Sequence, residues 1–198
     1  MQTDYLDLIQ IHSLSDLDDL NRMGGVNGAV AAVQQLKEQK LARFIGITGH
    51  NDGAAMTEAL GRHDFDTVLM ALNAAQSANP IAQRKMAAIP AFENSALPMA
   101  LQKNLGILSM KVMGQGMLVG AGTGRASAAE LLQFNLSQPV ASVIIGCEQL
   151  APLEQNVQAA MNFTPISESG KQKLQEKVAP SRAAWQNYLR SHEDSSGV

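Results

Sequence analysis

Five apolar runs in this chain end in residues that could do chemistry. The run from Leu6 ends in His12, the run from Arg43 in Thr48-Gly49-His50-Asn51-Asp52, and the run from Thr67 in Asn73. The run from Gly106 ends in Met110-Lys111 with Gly114 and Gly116 beyond it, and the run from Ala141 ends in Gly146-Cys147-Glu148-Gln149. The imidazole of His12 could orient or protonate a carbonyl oxygen, or simply close its segment with a hydrogen bond to a neighbouring loop. Lys111 could extend its ammonium into water or pair with a phosphate or carboxylate, and the company of four other polar segment ends favours the pairing. Asn73 suits a turn cap or a ligand amide equally. Glycines 114 and 116 permit either a mobile connection or close approach of backbone to a bulky ligand. Gly146 and Cys147, just before a helix expected near Pro152, could offer backbone N–H groups to an anion. Cys147 has no adjacent base in sequence, so an inert thiol or a contact residue is expected rather than a nucleophile. Met110, Met113 and Met117 read as packing, and His63 and His192 as solvated.

The elements that must position these residues alternate. Strands are expected at Leu6 to His12, Arg43 to Thr48, Thr67 to Asn73, Gly106 to Val112 and Ala141 to Gly146. Between them lie helical patterns at Gly28 to Lys40, Gly53 to Leu60 with Asp52 as N-cap, Ser95 to Lys103 and Ser127 to Asn135. Further helices are expected at Pro152 to Asn162, with Leu153, Val157 and Met161 as its apolar stripe, and at Ser167 to Leu189. A long connection is expected through Asn79-Pro80 and Ile89-Pro90, and residues 1–190 are expected to form the folded part ahead of a disordered polar tail at 191–198. Nearly every strand is a continuous apolar run, which predicts burial on both faces, as in a parallel sheet covered by helices. The fold class is therefore α/β, either an open doubly wound sheet or part of a (β/α)8 barrel, and in both the chemistry sits at the carboxyl ends of the strands. The glycines do not spell G-x-G-x-x-G at a helix start or a P-loop, so a Rossmann reading fails.

Composition narrows the partners. Fifteen Lys and Arg against 18 Asp and Glu give a net charge of -3, which offers no electrostatic grip on nucleic acid. Charged residues make up 17%, below the roughly 25% of typical globular domains, a surface that often has a partner. A single cysteine cannot form an internal disulfide, no Cys/His cluster has metal-site spacing, and no apolar run is long enough to span a membrane. With acidic residues at the start and no basic leader region, a cytoplasmic location is expected.

The residues also resemble a family. Thr3-Asp4-Tyr5-Leu6-Asp7-Leu8-Ile9-Gln10-Ile11-His12 is similar to the fourth-strand signature of the aldo-keto reductases. Lys40 to His50 resembles their fifth strand, Asp66 to Asn73 the sixth, Gly106 to Gly116 the seventh and Ser142 to Asn156 the eighth with its cofactor helix. The resemblance implies a (β/α)8 barrel, here an incomplete one holding strands four to eight. It also implies hydride transfer from NADPH or NADH to a small carbonyl substrate, with a tyrosine as acid assisted by a histidine, a lysine and an aspartate. Only the histidine has a counterpart, His12; the other three belong to the first three βα units of the family, and Tyr5 lies on the approach to its strand. As cofactor-binding residues the resemblance implies Thr48, Gly49, His50, Asn73, Met110, Lys111, Gly114, Gly116, Gly146, Cys147, Gln149, Gln155 and Asn156. Several depart from the family pattern. Thr48-Gly49-His50 replaces Ser-Asn-Phe, Leu69 stands for a glutamine, Met110 for a nicotinamide-stacking aromatic, Gln155 for a glutamate, and Pro152 for the arginine that holds a 2′-phosphate. No preference between NADP and NAD follows.

Two expectations come with this reading. A C-terminal fragment lacking the catalytic Asp, Tyr and Lys should have little reductase activity by itself, and its exposed sheet edges predict marginal stability or a homo-oligomer. The alternative is a non-catalytic nucleotide-binding or regulatory half-barrel that acts through a partner chain. A flavodoxin-like binder is disfavoured, because the loop expected after the first strand, Ser13 to Asp19, is acidic and would repel phosphate.

Overall fold

The computed structural model describes residues 3–76 and 91–191. Five strands, β1 (Leu6–Leu14), β2 (Ala42–Gly49), β3 (Thr67–Ala71), β4 (Gly106–Met110) and β5 (Ser142–Val143), follow one another in the sheet in chain order. The recorded registers, β1 on β2, β2 on β3 and β4 on β5, are all parallel. Helices between the strands are α1 (Leu17–Met23), α2 (Ala29–Glu38), α3 (Gly53–Arg62), α4 (Ala96–Gln102) and α5 (Ala128–Leu136). After β5 come α6 (Leu150–Met161), α7 (Glu168–Val178) and α8 (Arg182–Ser191). This is the α/β alternation expected from the sequence. The expected connection through Asn79-Pro80 and Ile89-Pro90, and the tail at 192–198, lie outside the described residues; Ser191 is the last residue of α8.

The described residues divide into two compact units, one of residues 3–70 and 91–107 and the other of 71–76 and 108–191. In the first, the β1 and β2 registers run from Leu6 opposite Ala42 to Leu14 opposite Gly49, with an irregularity after Ile11. Asp52 caps α3 as anticipated, accepting from the N–H groups of Ala54 and Ala55 at 2.9 and 2.8 Å. The face of α3 carrying Met56, Ala59 and Leu60 is fully buried, as are Ile47 and Val68 of the strands. Each such large side chain stabilises the fold by about 1.5–3 kcal/mol. Asp66 ties the β2 start to α2: its carboxylate accepts from Ile45 N at 2.9 Å and from Lys37 Nζ at 2.6 Å.

In the second unit the core is built on Leu118, Leu131, Val178 and Trp185, all fully buried. Ser127 opens α5 with a capping box, its hydroxyl accepting from Glu130 N at 3.2 Å while Glu130 Oε2 accepts from Ser127 N at 2.8 Å. Ser109 of β4 is buried between Asn135 Oδ1 at 2.9 Å and Leu72 O at 3.3 Å, which locks α5 to the strand. Buried polar groups with partners of this kind fix a packing arrangement that apolar contacts alone leave free.

Four expectations are corrected. The acidic stretch after β1 is not all loop: Asp16 accepts from Asp19 N at 2.8 Å and starts α1, the short polar side chains serving as cap and first turn. The single helix expected from Ser167 to Leu189 is broken by a 3-10 turn, Ala179–Ser181, where Pro180 has no N–H to continue the ladder. The strand expected at Ala141 to Gly146 pairs only over Ser142–Val143. Burial on both faces holds for Ile45–Gly49 of β2, but Phe44 and Ile144 are about half exposed, and α6 has no buried residue. Continuous apolar runs report what a segment can bury, not whether a neighbour is there to bury it.

Candidate active site

In the first unit, β1 and β2 bring His12 and His50 together. Their rings meet edge to face, 5.7 Å between centroids at 73°. His12 is exposed, while Thr48 and His50 are buried at 4% and 9% exposure. The Thr48 hydroxyl has no hydrogen-bond partner among the described residues, which is costly for a buried donor and marks a place where a polar ligand atom would be welcome. Gly49 turns the other way: a Cβ there would stand 2.6 Å from Met56 Cε, on the helix side of the sheet. A longer side chain at this position would enter the core instead of the face that carries Thr48 and His50. Tyr5 precedes β1, about 23 Å of extended chain from His12, so it belongs to the other end of the strand. His63 is not solvated as expected but half-buried at the end of α3, and burial, reinforced by the adjacent Arg62 charge, lowers its imidazole below the usual range.

In the second unit, the ends of β4 and β5 enclose a cavity of about 600 Å³, within the size range of small-molecule sites. Met110, Lys111, Gly116, Gly146, Cys147 and Gln149 line it, so six of the sequence-predicted residues share one wall system. Lys111 ends β4 because its backbone turns left-handed, φ 60°, and the following loop keeps that sense at Gly114 (55°), Gln115 (52°) and Gly116 (82°). Gly114 cannot carry a side chain, since a Cβ would lie 2.6 Å from Leu118 Cγ as well as in strained backbone. Asn73 supports this loop from beneath. It is 1% exposed, its Nδ2 donating to Lys111 O at 3.0 Å and its Oδ1 accepting from Ala75 N at 3.0 Å.

The far wall is the start of α6. Gln149 and Pro152 line the cavity, and Gln149, the N-cap, makes no side-chain capping bond, so the first-turn N–H groups are not satisfied by a cap. Asn156, one hydrogen bond behind the wall, donates from Nδ2 to Cys147 Sγ at 3.3 Å, and its Oδ1 is buried with no partner among the described residues. Gln155 is exposed on α6 and does not line the cavity. Two polar residues missed by sequence reasoning belong here. Gln115 lines the cavity, and Tyr188, from α8, accepts hydrogen bonds at its hydroxyl from Lys111 Nζ at 3.2 Å and from Gln115 Nε2 at 3.0 Å. Their separation from Lys111, four and 77 residues, gives no local pattern that would have singled Tyr188 out.

Among the described residues no helix is long and apolar enough to cross a membrane. No protein-family model matches the chain, and no curated protein matches it. Solved structures do. The holo form of aldo-keto reductase AKR11C1 from Bacillus halodurans is matched at 20% identity over 88% of this chain and 62% of that one, with a TM-score of 0.63. An aldo-keto reductase from Klebsiella pneumoniae in complex with NADPH is matched at 19% identity, 90% and 60% coverage, and 0.61. The glycerol dehydrogenase AKR11B4 from Gluconobacter oxydans is matched at 15% identity, 100% and 63% coverage, and 0.57. The chain thus spans about three-fifths of the length of the solved proteins it matches, and its parallel strands with flanking helices have the fold of part of an aldo-keto reductase (β/α)8 barrel.

Proposed function

We propose that this chain is the cofactor-binding portion of an aldo-keto reductase type oxidoreductase, taking NADPH or NADH at the ends of β4 and β5. The observation that carries the reading is the cavity itself. Its wall carries one ammonium, Lys111, and one carboxylate, Glu148, beside a left-handed glycine loop and an uncapped helix start, and the ammonium, the loop and the helix start favour the phosphates of a dinucleotide. The residues fit such a group: Met110 offers a polarisable surface to an aromatic ring, and Asn156 Oδ1 is an acceptor with no partner among the described residues. Bound there, the nicotinamide supplies the hydride. The part of this chain is to bind and orient the cofactor at the second unit's cavity. The family's acid tyrosine has no counterpart on β1, since Tyr5 precedes the strand, so we infer that the chain alone turns over little or no carbonyl substrate.

Titration with NADPH and NADH, followed by cofactor fluorescence, tests this reading. Saturable binding below about 1 mM is expected for at least one of them, weakened about tenfold or more by Lys111→Met. No binding of either at millimolar concentration overturns it. A second reading, a non-catalytic nucleotide-binding half-barrel working through a partner chain, is favoured by the uncovered apolar face of α6. An in-frame segment upstream of Met1 that encodes the Asp, Tyr and Lys would decide for the enzyme.

A further inference from the structure

We propose that Tyr188 is a positioning residue for Lys111, so that the C-terminal helix α8 is a working part of the nucleotide cavity. The inference rests on the cofactor reading above and deepens it. A lysine at a binding site is a point charge on a four-carbon stem, and unless something holds the stem its ammonium samples many positions. Here two side chains of the cavity wall, Lys111 and Gln115, converge on one phenol oxygen, at 3.2 and 3.0 Å. The Lys111 ammonium also stands 5.4 Å from the centre of the Tyr188 ring, within cation–π range. The ring is itself fixed, stacked on Trp185 at 5.4 Å and 19°, and Trp185 is fully buried.

The series therefore runs from the core through Trp185 and Tyr188 to a charge on the cavity wall. The direction of the effect follows from the chemistry of the ammonium. It carries three protons, Tyr188 accepts one, and two remain to donate to phosphate oxygens. Tyr188 is thus a holder of Lys111 rather than a competitor for it, and a bound phosphate should tighten the arrangement. The left-handed backbone at Lys111 and Gln115 fixes where both side chains leave the loop, and the phenol fixes where they end.

The test uses the full chain, titrated by calorimetry with inorganic pyrophosphate, NADPH and uncharged adenosine. Tyr188→Phe, which keeps the ring and loses the oxygen, should weaken pyrophosphate and NADPH about threefold; Tyr188→Leu should weaken them about tenfold. Adenosine binding should be unchanged in both. In a Lys111→Met background Tyr188→Leu should have no further effect on pyrophosphate, a coupling that loss of packing alone would not produce. Emission of Trp185, the sole tryptophan, reports whether α8 remains docked in each variant. Unchanged or tighter phosphate binding in a docked Tyr188→Leu protein overturns the inference while leaving the cofactor reading intact, as does equal weakening of adenosine. Failure of the unaltered chain to bind either NADPH or pyrophosphate overturns both. Should Tyr188→Leu undock α8, the decision falls to Tyr188→Phe, where unchanged affinity overturns the proposal.

Discussion

Asn73 shows how a residue read as a ligand contact can act one layer deeper. Its amide bridges the carbonyl of Lys111 and the N–H of Ala75, so it sets the backbone from which the lysine of the cavity wall projects. Asn73→Ala should leave the buried Ala75 N–H and the part-buried Lys111 carbonyl without this partner, at a cost of about 1–3 kcal/mol for the buried group and less for the other. The expected outcome is a lower midpoint in urea unfolding together with weaker NADPH binding; loss of neither would show that the loop holds its shape by its glycines alone. At the same scale, the Gly114 and Gly116 signal was legible in the sequence because positive φ selects glycine. Lys111 and Gln115 adopt the same backbone region without any sequence mark, since tertiary bonds from Asn73 and Tyr188 hold the loop.

Among the elements, α5 is the best specified. Its capping box is written in Ser127 and Glu130, and Glu130 then reaches outside its helix to Lys177 of α7, Oε1 to Nζ at 2.7 Å. The Lys177 hydrogen bond, followed by the bond from the Ser127 backbone, lowers the Glu130 carboxyl from its usual 4.5 to about 2. A carboxyl depressed in the folded state contributes stability above its unfolded pKa and loses it as pH falls through the folded one. Stability should therefore decline between about pH 4.5 and 2, and Glu130→Gln should remove most of that increment. The side chain is 43% exposed, so solvent screening limits the ion-pair share to under about 1 kcal/mol. Urea midpoints of both proteins across this pH range provide the check; parallel pH profiles would show that Glu130 contributes nothing.

For the whole molecule, the informative feature is apolar surface left uncovered. Leu150, Leu153, Val157 and Met161 of α6 are between 46% and 75% exposed, and Ile144 beyond β5 is 48% exposed. Their spacing is that of a buried helix face, and exposed apolar patches of this kind favour association. Sedimentation velocity should show concentration-dependent self-association at tens of micromolar, and the double variant Leu153→Lys, Val157→Lys should sediment as a monomer. Because both residues are exposed, its melting temperature should shift little. A chain that is monomeric at every concentration would contradict the expectation.

The sequence by itself determined the α/β class, the positions of the main elements and the polar strand ends, because hydrophobic period, caps and glycine each act within a few residues. His12 with His50, and the six residues around the second unit's cavity, could be anticipated on that basis, since parallel strands place their carboxyl ends on one side. Tertiary structure alone decided the rest. It placed Tyr188 on Lys111, set Asn73 beneath the loop, directed Gly49 toward the helix side and left the stripe of α6 uncovered. Each of these depends on which distant segment arrives as a neighbour, and local propensity contains no term for that.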